Sequence, residues 1–358
     1  MEQLVRLGDV CTVVSGSTPK TSVDEYWNGD VKWITPAELD ADSYYIHDSV
    51  KHITELGRTK TGLSYMPVGT VILSSRAPIG KTAILGCEMC CNQGFKNLIC
   101  TDRIFNEYLY HFLRAKTNYL NSLGRGATFK ELSKGIVENV LIPLPAVEEQ
   151  HHIADLFASV EELIQTKKQQ LDLLDELVKS RFIELFDGKG YPTLKWNEVF
   201  NTTTGKLDSN AMVEDGEYPF FTCAKEVFRI DKYAFDQEAL LLAGNNAAGK
   251  YDVKYYKGKF NAYQRTYVLG LKKDWSYQLF RYQLEDKLVY LQQQSLGGLT
   301  KYLTLKILGE LEFIVPPMDK QNEFTAFVEQ TDKSKSAVQQ SIAELEELKK
   351  SLMQKYFG

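Results

Sequence analysis

The stretch Leu141-Ile-Pro-Leu-Pro-Ala-Val-Glu-Glu-Gln150 precedes a long helical pattern that ends at Phe186. The stretch Phe313-Ile-Val-Pro-Pro-Met-Asp-Lys-Gln321 precedes a second such pattern, which ends at Phe357. Identical residues recur 171 positions apart in the two segments, namely Gln150 and Gln321, Leu177 and Leu348, Ser180 and Ser351, and Phe186 and Phe357. An internal repeat of this length predicts two copies of one module, each a globular domain followed by a helix.

The length and the composition set the scale of this architecture. The chain has 358 residues, of which 44% are apolar, and this is enough for two medium-sized cores. We predict an α+β fold in which two globular mixed α/β domains are separated by two long helices that form an antiparallel coiled coil. The predicted limits are 1–142 for the first domain, 143–190 for the first helix, 191–314 for the second domain and 315–358 for the second helix.

The charge of the chain is unevenly distributed. The net charge is −5, and residues 143–190 alone carry 10 acidic and 5 basic side chains. The two globular domains are therefore close to neutral and can hold the local basic faces that nucleic-acid binding requires. The sequence has no apolar run of about 18 residues and no secretion signal at its start. Six cysteines without disulfide spacing suit a reducing cytoplasm.

Turn signals alternate with short β-branched runs in both domains, which predicts strands and turns. One helix is predicted near Asn106–Leu123, where apolar residues fall on one face. The second domain repeats the order of the first, and we match pairs of polar positions between them: Gly80-Lys81 with Gly249-Lys250, Asn92 with Asn261, and Lys96 with Arg265.

The two long helical patterns have apolar residues at spacings of three and four, which predicts a seam between helices. The predicted seam residues are Ile153, Leu156, Val160, Leu163, Leu174 and Leu177 in the first helix, and Phe324, Phe327, Val338, Ile342, Leu345, Leu348 and Leu352 in the second. A flanking row of Phe157, Ile164, Leu171, Val178, Phe182 and Leu185 widens the first stripe. We favour pairing of the two helices with each other over separate packing of each helix on its own domain.

Two partial motifs resemble known ligand sites. Gly244-Asn-Asn-Ala-Ala-Gly-Lys250 resembles the start of a phosphate-binding loop, but Tyr251 follows where Ser or Thr should ligate magnesium. Its counterpart, Ser74–Thr82, has Ser75 in place of the first glycine, so a turn shared by both domains explains the pair better than a nucleotide site. Cys87-Glu-Met-Cys-Cys91 lacks a second pair of ligands at metal spacing, and no metal site is predicted.

Catalytic motifs are absent from the sequence. There is no Gly-x-Ser-x-Gly, no His-Glu-x-x-His, and no Asn-Pro-Pro-Tyr/Phe motif or glycine-rich cofactor loop of an adenine methyltransferase. Val315-Pro-Pro-Met318 has the two prolines without their flanking residues. These absences favour a binding protein without catalytic residues.

Polar and basic side chains cluster at matching places in the two domains. Arg, Lys, Asn and Gln are the side chains that contact base edges and phosphates in DNA. For any one of them a solvated strand face is the alternative reading, and the recurrence in both domains favours binding. The candidate DNA-binding residues are Arg76, Lys81, Asn92, Gln93, Lys96, Lys206, Asn245, Asn246, Lys250, Asn261 and Arg265.

The order of motifs resembles the specificity subunit of type I restriction–modification enzymes. The segments that carry this resemblance are Leu7-Gly-Asp-Val10, Gly16-Ser-Thr-Pro19, Trp33-Ile34, Val68–Ser74, Ile79–Ile84, Asn92-Gln93 and the proline-rich entry to each long helix. The second domain departs from this pattern, with Trp196-Asn-Glu-Val199 at its start and Asn261-Ala262 in place of Asn-Gln. These differences fit a domain that reads a different half-site.

The resemblance implies a subunit that recognises double-stranded DNA and performs no chemistry. Each domain would contact one half of a bipartite site, and the coiled coil would set the spacing between the halves. Two methyltransferase subunits would bring S-adenosylmethionine, and motor-nuclease subunits would bring ATP and magnesium. Two alternatives remain open at this point, namely a fused or freestanding adenine methyltransferase and a coiled-coil scaffold that binds only protein.

Overall fold

The computed structural model describes residues 4–40, 43–76, 78–126, 130–246, 249–298 and 300–358. The chain divides into two compact units. Unit 1 comprises residues 1–168 and 340–358, and unit 2 comprises residues 169–339. Each unit contains one globular domain and a segment of each long helix. None of the helices in the described ranges has the length and apolarity that a membrane span needs.

In the described part of the globular domain of unit 1, the chain forms ten short strands and five short helices. The strands are β1 (Leu4–Arg6), β2 (Cys11–Ser15), β3 (Trp27–Ile34), β4 (Tyr45–Ile46), β5 (His52–Ile53), β6 (Val71–Ser74), β7 (Thr82–Leu85), β8 (Cys90–Cys91), β9 (Phe95–Cys100) and β10 (Leu141–Pro143). The helices are α1 (Leu7–Val10), α2 (Glu55–Thr61), α3 (Asn106–Ala115), α4 (Thr117–Leu123) and α5 (Lys134–Glu138), with 3-10 turns at Asp24–Tyr26 and Pro36–Glu38.

A five-stranded sheet in the order β2-β9-β6-β7-β4 forms the centre of this domain, and β5-β3-β8 and β1-β10 form smaller sheets. Alternation along the strands gives the central sheet two buried faces. Leu73 and Leu98 pack on one side with α3, while Ile72 and Phe95 pack on the other side with Ile34.

The helix predicted near Asn106–Leu123 is two helices, because the chain turns at Lys116. Lys116 has φ −94° and ψ 11°, outside the helical region, and it ends α3 and precedes α4. The residues that predicted one face nevertheless stay buried on both sides of the break, including Tyr108, Leu113 and Leu120.

The domain of unit 2 repeats most of these elements. Its strands are β11 (Thr193–Lys195), β12 (Phe200–Thr204), β13 (Tyr218–Phe221), β14 (Phe228–Ile230), β15 (Phe235–Ala243), β16 (Asn245–Asn246), β17 (Val253–Ala262), β18 (Thr266–Leu271), β19 (Lys301–Tyr302) and β20 (Glu312–Ile314). Its helices are α7 (Trp196–Val199), α8 (Tyr277–Asp286), α9 (Leu288–Gln294) and α10 (Leu305–Gly309), with a 3-10 turn at Ser209–Ala211. The central sheet has six strands, in the order β12-β18-β15-β17-β13-β14.

The chain enters and leaves the two domains through equivalent strands. β1 pairs antiparallel with β10, and β11 pairs antiparallel with β20. The four-residue helices α1 and α7 follow the first strand in each case, so the divergent Trp196-Asn-Glu-Val199 takes the same structural place as Leu7-Gly-Asp-Val10.

The two long helices are α6 (Val147–Phe186) and α11 (Met318–Phe357), each 40 residues long. They run antiparallel in each unit. In unit 1, Lys349 forms an ion pair with Glu161 at 2.5 Å, and Phe357 stacks on Phe157 at 5.7 Å. In unit 2, Lys335 pairs with Asp175 at 2.5 Å. The predicted helix pairing is therefore present in both units.

The repeated glutamines, Gln150 and Gln321, fix each long helix to its domain by hydrogen bonds. The Gln150 side chain accepts a hydrogen bond from Phe105 N (2.8 Å) and donates one to Pro145 O (3.0 Å). Gln321 accepts from Ser276 N (3.0 Å) and donates to Pro316 O (2.8 Å), which are the equivalent partners in the second copy. Both side chains are buried, so these bonds satisfy backbone groups that water cannot reach.

Candidate nucleic-acid interface

Four segments of unit 1 meet at the ends of the central strands. We call this surface the strand-end face of unit 1. It consists of residues 15–18, 75–76, 92–96, 125–126 and 130–131. Ser75 N donates to Gly94 O at 2.7 Å, and Leu132 N donates to Ser75 O at 2.9 Å. Glu131 forms β-bridges with both Arg76 and Arg125. The backbone of this face is therefore fixed by the sheet.

Gly16 lies where two backbone segments of the face approach each other closely. A Cβ atom at this position would lie 2.3 Å from the carbonyl oxygen of Cys91, and a Cβ at Gly205 in unit 2 would lie 1.7 Å from that of the equivalent residue, Ala262. Only glycine permits so close an approach of two backbone segments. The same steric requirement thus recurs at matching places in the two domains.

The strand-end face of unit 2 consists of residues 205–207, 244–246, 263–265 and 296–302 without the undescribed 299. Gly244 N donates to Arg265 O (2.8 Å), Leu303 N donates to Gly244 O (2.8 Å), and Tyr302 forms β-bridges with Asn245 and Leu296. Each of these links has a counterpart in unit 1. Arg76 and Asn245 occupy the same place, and so do Glu131 and Tyr302.

This equivalence corrects two of the residue matches made from the sequence. Lys96 is opposite Leu73 in the sheet, and Tyr267 is opposite the equivalent Leu242, so Tyr267 and not Arg265 is the counterpart of Lys96. Asn92 N donates to Ile34 O, and Tyr263 N donates to Phe221 O, both at 2.9 Å. Asn92-Gln93 therefore corresponds to Tyr263-Gln264 and not to Asn261-Ala262. The sequence matches used an offset of 169, which holds for β6 and β15 but not for these segments.

Four of the predicted residues are held by the fold. Lys81 donates to the carbonyls of Pro36 (3.1 Å) and Leu39, and Lys96 is buried beside Ser75 Oγ (3.4 Å) and Glu131 (3.6 Å). The Asn92 amide donates to Thr18 Oγ1 (2.8 Å) and accepts from Gly94 N (2.7 Å). Asn261 is buried and donates to Lys232 O at 2.9 Å. Their polar groups stabilise turns and strand ends in this structure.

The remaining predicted residues are accessible. Gln93, Lys206, Lys250 and Arg265 are exposed, and Arg76, Asn245 and Asn246 are half-buried. All of these except Lys250 belong to the two strand-end faces, so the structure brings Arg76 and Gln93 together in unit 1, and Lys206, Asn245, Asn246 and Arg265 together in unit 2. Lys250 follows Gly249, whose φ of 67° matches the left-handed conformation of Gly80 before Lys81 (φ 102°). The Gly-Lys pair is thus a turn shared by both domains.

The sequence analysis missed three exposed residues of these faces. Arg125 forms a β-bridge with Glu131, Lys130 directly precedes Glu131, and Gln264 follows Tyr263 at the position of Gln93. The offset of 171, which relates the long helices, also relates Gln93 to Gln264 and could have identified that pair.

Ten of the thirteen predicted seam residues are buried or half-buried, and three are exposed. Leu163, Leu177 and Leu348 were predicted to lie in the seam, but 49%, 48% and 46% of their surfaces are exposed. The seam residues Ile153, Val160, Phe324 and Val338 are buried, and Leu156, Leu174, Phe327, Ile342, Leu345 and Leu352 are half-buried. Phe157, Ile164 and Val178, predicted only to widen the stripe, are buried at its centre.

Comparisons with known proteins agree with this architecture. Residues 2–176 and 189–347 each match the family described as type I restriction modification DNA specificity domain. The MjaIX specificity subunit of a type I restriction enzyme from Methanocaldococcus jannaschii is 41% identical over 186 residues, which cover 50% of this chain and 43% of that protein. The EcoDI specificity subunit from Escherichia coli is 36% identical over 161 residues, covering 44% and 34%. The matches thus span less than half of each relative.

Two solved structures share the fold over nearly the whole chain. The S subunit of a type I restriction–modification system from M. genitalium has a TM-score of 0.64 at 14% identity, with 100% of this chain and 96% of that chain covered. A chain from a study of complex assembly and conformational transition of the type I R-M system has a TM-score of 0.63 at 19% identity, with 99% and 97% covered. With the matched domain present twice and accounting for most of its length, the chain belongs to the family of type I restriction modification DNA specificity domain proteins.

Proposed function

We propose that this chain is the DNA-recognition subunit of a type I restriction–modification complex, and that each strand-end face reads one half of a bipartite, asymmetric DNA site. The observation that carries the proposal is the recurrence of one backbone frame with different polar side chains at matched positions. Arg76 corresponds to Asn245, and Glu131 corresponds to Tyr302. A constant frame with altered hydrogen-bonding groups is what two different half-sites require.

The accessible side chains suggest a division of roles within each face. Gln93 and Gln264 have amide groups that can contact base edges, and Arg76 and Arg265 have guanidinium groups that can contact guanine or phosphate. Lys206 in the face of unit 2, and Lys250 outside the segments that define that face, are exposed point charges suited to phosphate. Lys81, Asn92 and Asn261 act by holding the frame, and Lys96 acts through its contacts with Ser75 and Glu131.

The long helices supply the rest of the assembly in this proposal. They set the distance between the half-sites and dock two methyltransferase subunits, while motor-nuclease subunits join the complex. S-adenosylmethionine, ATP and magnesium enter through those partners, and this chain catalyses no step. The complex acts in the cytoplasm, where it meets double-stranded DNA.

The matched glutamines provide the test. With the full chain in complex with its methyltransferase, Gln93→Ala should relax one position of the first half-site only, and Gln264→Ala one position of the second only. Each loss should amount to about 1–3 kcal/mol of discrimination. Lys250→Ala should weaken binding evenly and lower the salt slope by about one. Selection of duplexes from a randomised library, followed by salt titration, measures these effects.

Three results would contradict the proposal. If all three variants select and bind DNA like the parent, the assignment of the faces is wrong. Transfer of labelled methyl groups from S-adenosylmethionine by the chain alone would favour the methyltransferase alternative. Failure of the complex to bind any duplex would favour the scaffold alternative.

A further inference from the structure

A carboxylate lies among the cations of the strand-end face of unit 1. Glu131 is the one acidic residue in the sequence segments that form this face, and its neighbours include Arg76, Arg125 and Lys130. The Glu131 side chain is 45% exposed, and together with Arg125 it lines an open groove of about 680 Å³. A negative charge here would repel the phosphates that the surrounding cations attract.

The carboxylate is nevertheless held firmly in this position. Its backbone is fixed by two β-bridges, and Lys96 Nζ lies 3.6 Å from Glu131 Oε1. Lys96 is itself buried, with only 6% of its side chain exposed, and it also contacts Ser75 Oγ at 3.4 Å. A buried cation on one side and solvent on the other leave free acceptor sites of the carboxylate facing outward.

The chemistry of base edges limits what such an acceptor can recognise. A carboxylate accepts hydrogen bonds and donates none, so it can pair only with the amino groups of the bases. In the major groove, the amino group that Glu characteristically contacts is N4 of cytosine. Contact with an amino group would offset the repulsion from the phosphates, and this would make the carboxylate selective rather than merely unfavourable.

Unit 2 has no such group at the equivalent place. Tyr302 replaces Glu131, and Tyr267 replaces Lys96, with the Tyr267 hydroxyl donating to Leu303 O at 3.0 Å. The charged pair is thus a feature of one face only, although both faces share the same frame. This difference points to selectivity, because a pair needed only for folding would be needed in both copies.

We infer that Glu131 is a specificity-determining residue of the first half-site, where it accepts a hydrogen bond from the N4 amino group of a cytosine, and that Lys96 is its positioning residue. The inference rests on the proposed function and names one base pair within it. The first half-site must then contain a G·C pair at this position, and the second half-site has no equivalent requirement.

The test uses the full chain with its methyltransferase and a randomised duplex library. Glu131→Gln keeps the shape of the side chain and adds a donor, and Gln pairs with adenine through N6 and N7. This variant should lose the preference for cytosine by about tenfold or more and should gain adenine at the same position. The second half-site should be selected as before.

A second variant guards against loss of folding. The double substitution Lys96→Tyr/Glu131→Tyr copies the uncharged pair that unit 2 accommodates at Tyr267 and Tyr302, so it leaves no buried charge unpaired. It should keep the parent's melting temperature within a few degrees and should relax the same single position. All other positions of the first half-site should stay as they were.

The outcomes separate the inference from the proposed function. If the parent complex selects a bipartite site and Glu131→Gln selects the same site with evenly altered affinity, Glu131 is only a counter-ion of Lys96 and the inference is wrong. A first half-site without a G·C pair also overturns it. If the parent complex selects no sequence, the proposed function fails, and the inference fails with it.

Discussion

His111 illustrates at the residue scale how a domain is fixed to the long helix. Its ring is fully buried, stacks on Phe157 at 4.8 Å and contacts Tyr110 edge-on at 5.0 Å. Among the residues that the structure describes, neither ring nitrogen has a hydrogen-bond partner. Burial first, and then the nearby cations Lys349 and Arg114, lower the pKa of the His111 imidazole to about 3. The residue therefore packs as a neutral aromatic ring.

This pKa predicts a pH dependence of stability. The ordinary histidine pKa is near 6.5, so between that value and about 3 the unfolded chain binds a proton that the folded chain does not. The free energy of unfolding should therefore fall as the pH is lowered through this window. Between pH 7 and pH 5, His111 should account for a loss of about 2 kcal/mol. Denaturant unfolding at both pH values measures the loss.

The variant His111→Phe should remove that loss, because phenylalanine fills the same aromatic site without titrating. His152→Phe is the control, since His152 lies exposed on α6, the long helix that carries Phe157. An equal change between pH 7 and pH 5 for the parent and His111→Phe would show that His111 contributes nothing to the pH dependence.

At the element scale, most of the seam residues predicted for the two long helices are buried or half-buried, but Leu163, Leu177 and Leu348 are exposed. Leu163 and Ile164 are adjacent and both apolar, so spacings of three and four allow a stripe through either residue. The structure buries Ile164 and leaves Leu163 half-exposed. The helix face is chosen by contacts with the domain, such as that of His111 with Phe157, and these contacts are remote in sequence.

The corrected seam predicts unequal effects of two substitutions on the same helix. Phe157→Ala removes a fully buried ring and should cost about 3–5 kcal/mol of the free energy of unfolding. Leu163→Ala should cost less than about 1 kcal/mol, because much of its surface already meets water. Denaturant unfolding of both variants checks the order. Equal losses of unfolding free energy for the two variants would mean that Leu163 is a seam residue, as predicted from the sequence.

Like the helix seam, the candidate site could be predicted from the sequence only in part. Residue type and recurrence located the strand-end faces, since eight of the eleven candidate residues lie in the segments that form them. The sequence alone could not distinguish polar side chains that are exposed to solvent from those that form hydrogen bonds with backbone groups. Gln93 is exposed, whereas Lys81 donates to the carbonyls of Pro36 and Leu39, which lie 45 and 42 residues away in the sequence, and no local pattern records that contact.

At the scale of the whole molecule, each unit is completed by a segment from the other half of the repeat. Phe357 is buried in unit 1 beside Phe157 and Phe112, and Phe186 is buried in unit 2 beside Phe324. Phe186 and Phe357 are related by the repeat, as are Gln150 and Gln321. Residues 169–186 are therefore the equivalent of residues 340–357.

A fragment of residues 1–188 should consequently form a homodimer. It lacks the segment that carries Phe357, and residues 169–186 of a second copy can take that place. Burial of each large apolar side chain in the new contact is worth roughly 1.5–3 kcal/mol. Light scattering should show a dimer, and Phe186→Ala in the fragment should weaken it. A fragment that stays monomeric at tens of micromolar would contradict the equivalence of the two segments.

The strand pairs β1–β10 and β11–β20 bear on how a domain can be exchanged by genetic recombination. Antiparallel neighbours lie about 5 Å apart, so each domain leaves and rejoins the rest of the chain at nearly the same point. The repeat offset is 189 residues at the entry strands and 171 at the exit strands, so the second domain is shorter without any change in its ladder. Genetic exchange of the segment 7–140 for that of another chain could therefore replace one reading face as a cassette. The helices on which we propose that partners dock would remain unchanged, and new DNA targets could arise in a single recombination step.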